Sequence, residues 1–262
     1  ADMWPREHGS WAVLAAPILV GLAAAGGGPP AALLAFACAA FGGFCLRVPL
    51  QSLASRAPAP EAPRWAAAFA ALAAGGALPL FLIYRRWGLL AYAVPAALML
   101  AFNIRANLSR QTFSFFNETA GILTLCLGAP AAFYAATGHS SGAAWSAWAL
   151  SSAYFVGPIF HVKLAALQHR SASDSSVQAA MEKMGRNSVT YHAGVLAATA
   201  AAAACGWAPW IAVLPFAASL HKTWRRSRFA PAKVDFRRLG FQEVAYSCLF
   251  TLALAAGYHL SP

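Results

Sequence analysis

The sequence predicts an all-α, polytopic membrane bundle of nine transmembrane helices, and three observations predict it. Of the 262 residues, 60% are hydrophobic and 10% charged, with mean hydropathy +0.55; a soluble globular chain carries about 25% charge. Nine apolar segments recur along the chain. The basic residues fall between those segments in alternation, with two exceptions. This composition excludes a soluble enzyme, a disordered chain and a disulfide scaffold, because lipid demands long apolar runs whose backbone bonds are satisfied internally.

The segments are 10–27, 30–46, 64–84, 87–103, 114–136, 143–163, 188–206, 208–222 and 242–260. Most approach the roughly 20 residues a spanning helix needs. The second and eighth are shorter and flanked by proline. Pro17, Pro79, Pro95, Pro130, Pro158 and Pro215 lie inside segments, where membrane bundles tolerate them. The first segment is not read as a cleavable signal, since eight more follow it and no A-x-A site is evident.

Charge orients the segments. Seventeen of the nineteen Lys and Arg follow the even-numbered segments or precede the first; only Arg85 and Arg86 fall on the other side. The positive-inside rule makes this an N-inside, C-outside chain. The net charge of +11 therefore points to cytoplasmic loops and anionic lipid headgroups rather than nucleic acid. The expected location is the bacterial cytoplasmic (inner) membrane, with residues 1–262 as a single transmembrane helical domain.

Polar side chains at the ends of spans are costly unless paired or hydrated. Arg47, Gln51, Arg105, Asn117, Glu118, His161, Lys163 and Arg170 all fall at inside ends of segments. They are expected to converge on one polar, net-basic mouth above an apolar interior and to bind a ligand there. For Arg47 and Lys163 snorkelling to headgroups is the competing account. Glu243 reads as an acid complementing a helix N-terminus. The loop HRSASDSSVQAAMEKMGRNS carries a Ser175/Gln178 capping box. Its apolar Val177, Ala180, Met181 and Met184 predict a short amphipathic helix across the mouth. Cys38, Cys45, Cys126, Cys205 and Cys248 read as buried hydrophobes, with no C-x-x-C. No H-E-x-x-H and no carboxylate cluster occurs, so no metal and no cofactor is expected. His161 and His192 leave haem ligation open beside ordinary structural hydrogen bonding.

WPREHGSWAVLAAPILVGL at the start, SFFNETAGIL before the fifth segment, YFVGPIFHVK ending the sixth and RRLGFQE before the ninth together resemble the YwiC-like membrane proteins. More distantly the chain resembles the UbiA superfamily of intramembrane prenyltransferases. That likeness implies nine helices, an inside N-terminus and a cytoplasm-facing cavity. It also implies two Asp-rich Mg²⁺-binding motifs after the second and sixth helices. This chain departs there, with FCLRVPLQSLASR and FHVKLAALQHR in those places. Mg²⁺ is held by carboxylates and substrate phosphates, so standard metal-assisted diphosphate departure is not expected; basic side chains can still hold a phosphate or carboxylate directly.

Two readings follow. In one, a UbiA-like bundle binds an anionic-headed lipid or isoprenoid, with or without altered transferase chemistry. In the other, the chain is a non-enzymatic subunit or assembly factor of a larger membrane complex. Membrane lipids, mainly anionic, are the expected partners.

Overall fold

The structure, a computed structural model, describes residues 3–5, 8–108, 114–170, 175–229 and 235–260. Among these residues every regular element is helical. The α-helices are α1 (His8–Ala24), α2 (Pro30–Leu53), α3 (Ala62–Leu82), α4 (Leu90–Leu108), α5 (Phe115–Cys126), α6 (Gly128–Thr137), α7 (Gly142–Arg170), α8 (Ser175–Ala204), α9 (Val213–Arg228) and α10 (Phe236–Leu260). Short 3₁₀ turns at Trp87–Leu89 and Trp210–Ala212 lead into α4 and α9. Helix therefore lies on each of the nine apolar segments, with α5 and α6 sharing the fifth. Six stretches are long and apolar enough to cross a membrane: Pro30–Leu53, Ala62–Leu82, Trp87–Ala106, Phe115–Thr137, Gly142–His169 and Phe236–Leu260. Leu34, Leu78, Leu98 and Leu252 are each more than half exposed on these helices. Apolar surface of that kind suits a lipid solvent.

The fifth segment breaks at Leu127. Pro130 has no amide hydrogen to return to the carbonyl four residues earlier, which interrupts the helical ladder there. Gly128 lets the break approach α1: a Cβ there would sit 3.0 Å from Ile18.

The chain divides into two compact units, residues 1–148 and 149–262. In the first, α1 packs on α5 and α6, and α2 on α3. Gly42 and Gly76 permit that last pairing. A Cβ on Gly76 would lie 2.3 Å from the Ala35 carbonyl oxygen, and one on Gly42 would lie 2.6 Å from the Ala73 amide. Small residues let membrane helices approach until their backbones touch. Trp4, Trp11, Phe41, Phe44, Trp65 and Phe69 pack around this pair edge-to-face, tilted or stacked. Trp11 Nε1 donates to the Pro5 carbonyl at 3.1 Å, so the W-P-x-E-H-G-x-W opening folds back on its own helix.

In the second unit α9 packs on α8 and α10. Its apolar centre is aromatic. Tyr154 stacks on Phe250 with centroids 4.1 Å apart, and Phe155 and Phe216 meet the same ring edge-on.

Three local expectations are corrected. Of the five cysteines only Cys45 and Cys126 are buried; Cys38 is half-buried, and Cys205 and Cys248 are exposed on helix-end and helix surface that an apolar side chain can present to lipid. The loop helix after the sixth segment is not separate: α8 runs unbroken from Ser175 to Ala204 and includes the seventh segment. No proline interrupts that stretch, and its two glycines, Gly185 and Gly194, each cost only about 1 kcal/mol of helix propensity. Glu243 does not open its helix. α10 begins at Phe236, which places Glu243 beyond the first turn, where the helix-terminus field has largely faded.

Candidate functional site

Polar burial is distributed unequally. Among the described residues ten polar or charged side chains are buried; Asn117 is in the first unit, and the other nine are in the second. The second unit is also the more basic, with eleven Lys and Arg against four Asp and Glu in its sequence.

Its centre is built from three helices. Lys222 on α9 donates to both carboxylate oxygens of Glu243 on α10, each at 2.8 Å. Both side chains are largely enclosed, 11% and 15% exposed. Lys222 Nζ also stands 4.5 Å from the Tyr246 ring centroid, a cation–π contact. His161 on α7 is 2% exposed, with Nε2 3.7 Å from Glu243 Oε1. Its Nδ1 is buried without a hydrogen-bond partner among the described residues. On α8, His192 Nδ1 lies 2.7 Å from the Ser188 carbonyl, the structural hydrogen bond that lone histidines commonly make. A Cβ on Gly157 would lie 2.7 Å from His192 Nε2, so α7 and α8 meet across that imidazole. Tyr191 donates its hydroxyl to the Ala153 carbonyl at 2.7 Å.

One end of this centre is a guanidinium. Arg226 Nε donates to Gln168 Oε1 at 3.0 Å, and Gln168 Nε2 returns a bond to the Arg226 carbonyl at 3.3 Å. Among the described residues Arg226 Nη2 is buried with no hydrogen-bond partner. Beyond it, Arg228 lies over Trp224 and Arg237 over Phe241, at 5.7 Å and 5.8 Å from the ring centroids.

The eight residues singled out by sequence separate between the units. Arg47 and Gln51 lie within the last two turns of α2 and are half-buried, with the Arg47 guanidinium 5.9 Å from the Phe44 ring. Arg105 is exposed in the last turn of α4. Asn117 and Glu118 sit in the first turn of α5. There Ser114 caps the helix, its hydroxyl accepting from the Asn117 amide at 3.2 Å, and Glu118 complements the helix N-terminus. These five belong to the first unit. His161, Lys163 and Arg170 belong to the second, His161 buried and Lys163 half-buried on α7. The side chains of Arg170 and Ser175 lie outside the described residues, as do Arg6, Glu7, Arg110 and Lys233.

Sequence reasoning missed Lys222, Arg226, Gln168 and the partner of Glu243. One signal was available. Ser219, Thr223 and Arg226 recur at i, i+4 and i+7, a polar stripe on α9 that periodicity identifies as one face. The cations interspersed with it, Lys222, Arg225 and Arg228, mask that stripe, because the tract reads as a basic connection facing anionic lipid.

Apolar helices of spanning length around a polar interior define the class: a multi-pass α-helical membrane protein. Within it, the family model described as YwiC-like protein matches residues 4–133, from Trp4 through most of α6, so the first half of this chain is similar to that family. No curated protein and no solved structure matches the chain. Among the described residues no three His, Cys, Asp or Glu side chains are grouped to hold a metal ion.

Proposed function

We propose that this protein is a nine-span, N-inside protein of the bacterial cytoplasmic membrane that binds an anionic-headed lipid or isoprenoid at a cytoplasm-facing cavity. It does so without the Asp-rich Mg²⁺ motifs of the UbiA superfamily. The observation that carries this reading is Arg226. Lys222 is neutralised by Glu243, but among the described residues Arg226 bonds only to an uncharged amide and keeps Nη2 buried and unpartnered. A guanidinium so held presents a rigid fork of donors, the geometry that phosphate and carboxylate accept. Arg225 and Arg228 flank it at the end of α9, beside the exposed aromatics Trp224, Phe229 and Phe236. Basic residues near an anionic surface contribute about 1 kcal/mol each, and aromatic rings of this kind favour the headgroup level. Lys163 and Arg170 on α7 are further headgroup contacts in the same unit. Arg47, Gln51, Arg105, Asn117 and Glu118 are candidates within theirs.

The test is the lipid extract of the full chain purified in mild detergent. Wild type should retain an anionic lipid or isoprenoid in near-stoichiometric amount, and Arg226→Gln should lose most of it, while Arg226→Lys retains an intermediate amount. Equal retention by Arg226→Gln rejects the site. A lipid-free chain that co-purifies with another membrane protein would favour the subunit reading instead.

A further inference from the structure

We propose that the interior of the second unit is a hydrated proton path along α7, in which His161 and Glu243 are the ionisable relay. The proposal is independent of lipid binding.

Its first support is where the polar groups sit. On α7, Ser151, Tyr154, His161 and Gln168 fall at i, i+3, i+10 and i+17, on one helix face. On α8, Ser188, His192 and Thr199 fall at i, i+4 and i+11. Apart from Gln168, which is half-buried, all of these are buried. From Ser151 to Gln168 the helix rises about 26 Å at 1.5 Å per residue, close to the roughly 30 Å hydrocarbon core of a bilayer. The polar face thus runs nearly the whole depth that a proton must cross.

The second support is unfilled hydrogen bonding. Among the described residues, Ser151 Oγ, Ser152 Oγ, His161 Nδ1, Ser188 Oγ and Thr223 Oγ1 are buried with no partner from the protein. Buried polar atoms are nearly always satisfied, by protein or by ordered water. Pro158 adds an acceptor, because it cannot donate to the Tyr154 carbonyl. Atoms of this kind on three helices of one unit, α7, α8 and α9, suit a file of water.

The third support is chemistry. A neutral imidazole takes a proton at one ring nitrogen and releases one from the other, ending neutral. His161 Nε2 stands 3.7 Å from Glu243 Oε1, just beyond hydrogen-bond reach, so a small rotation joins them. Nε2 then gives its proton to the carboxylate as Nδ1 takes one from water, and the carboxyl group releases that proton to water, returning to the charge that pairs with Lys222; Lys222 meanwhile keeps its contact with the Tyr246 ring. The groups facing His161 and Glu243 are Tyr154 on α7, His192 on α8, Lys222 and Arg226 on α9, and Tyr246 on α10. Two of them are fixed cations. Acidic and histidine chains inside membrane bundles serve such relays.

The experiment uses the full chain in vesicles of neutral phosphatidylcholine with a trapped pH-sensitive dye. A potassium gradient with valinomycin sets the interior negative. Wild type should acidify the lumen at least tenfold faster than protein-free vesicles. Glu243→Gln and His161→Phe should fall to the protein-free rate, while Lys183→Ala, on an exposed position of α8, should not. Wild-type flux no faster than protein-free vesicles, or undiminished flux in both variants, overturns the proposal. If the variants fail to fold, hydroxyl-radical labelling of wild type decides. Tyr154 and His192 should be labelled from internal water despite their burial, and absence of labelling at both would overturn the path. Because neutral vesicles are used, failure here leaves the lipid result at Arg226 unaffected.

Discussion

Lys222 and Glu243, 21 residues apart on adjacent helices, form a bidentate ion pair with both N–O distances at 2.8 Å and both side chains largely shielded from solvent. Removing either partner leaves the other as an uncompensated charge in an apolar helix bundle. Breaking such a pair costs about 3–5 kcal/mol, whereas replacing both partners by apolar residues of similar volume is often neutral. Lys222→Met and Glu243→Leu should therefore each lower the thermal unfolding temperature of the purified protein sharply. The double variant should recover most of the loss. Additive losses would show that the two residues act separately.

Gly75 and Gly76 are neighbours on α3 with opposite expectations. Gly76→Ala forces a Cβ to within 2.3 Å of the Ala35 carbonyl oxygen, backbone that cannot turn aside; a Cβ on Gly75 meets nothing within 4 Å. Overpacking of this kind costs about 1–3 kcal/mol, while filling an open helical glycine recovers about 1 kcal/mol. Gly76→Ala should destabilise the protein in detergent and Gly75→Ala should not. Equal effects would mean that α2 and α3 do not pack through this glycine.

Trp11 donates to the Pro5 carbonyl and lies against Phe44. Trp11→Phe keeps the ring and loses the donor, so it should cost about 0.5–1.5 kcal/mol, the net worth of one hydrogen bond. Trp11→Ala should cost about 3–5 kcal/mol by leaving a cavity. Denaturation of both variants in the same detergent separates the hydrogen bond from the packing.

Gly138 ends α6 in the left-handed region, at φ 84°, with Arg86 packed over it and donating to the Ala136 carbonyl at 3.4 Å. A side chain here meets both the backbone penalty and the guanidinium. Gly138→Ala should lower the unfolding temperature, and Arg86→Ala should relieve part of that penalty in the double variant. Strict additivity would separate the cap from Arg86.

Membrane sidedness is read by labelling. Ser55→Cys, after α2, should react with an impermeant thiol reagent only from the cytoplasmic side, and Ser141→Cys, before α7, only from the outside. A cysteine-free background is needed, because Cys205 and Cys248 are exposed. Reversed labelling rejects the N-inside orientation.

Composition and hydropathic run length alone determined that this is a helical membrane chain, and they placed a helix on every apolar segment. Those properties are local: twenty apolar residues need internal backbone bonding whatever surrounds them. The W-P-x-E-H-G-x-W opening was legible as a motif, but the fold of Trp11 back onto the Pro5 carbonyl was not, because a hydrogen bond across six residues leaves no mark on composition or run length. Helix ends were read less well. α2 and α7 continue past Arg47 and Lys163, since a charged side chain can leave the apolar layer without ending the helix that carries it. The pairing of Lys222 with Glu243, the enclosure of His161 and the unpartnered Nη2 of Arg226 belonged to tertiary structure. Each depends on which faces of α7, α8, α9 and α10 turn toward one another, and in lipid that choice is not made by hydrophobicity. Lipid is as apolar as leucine, so packing and polar contact decide it.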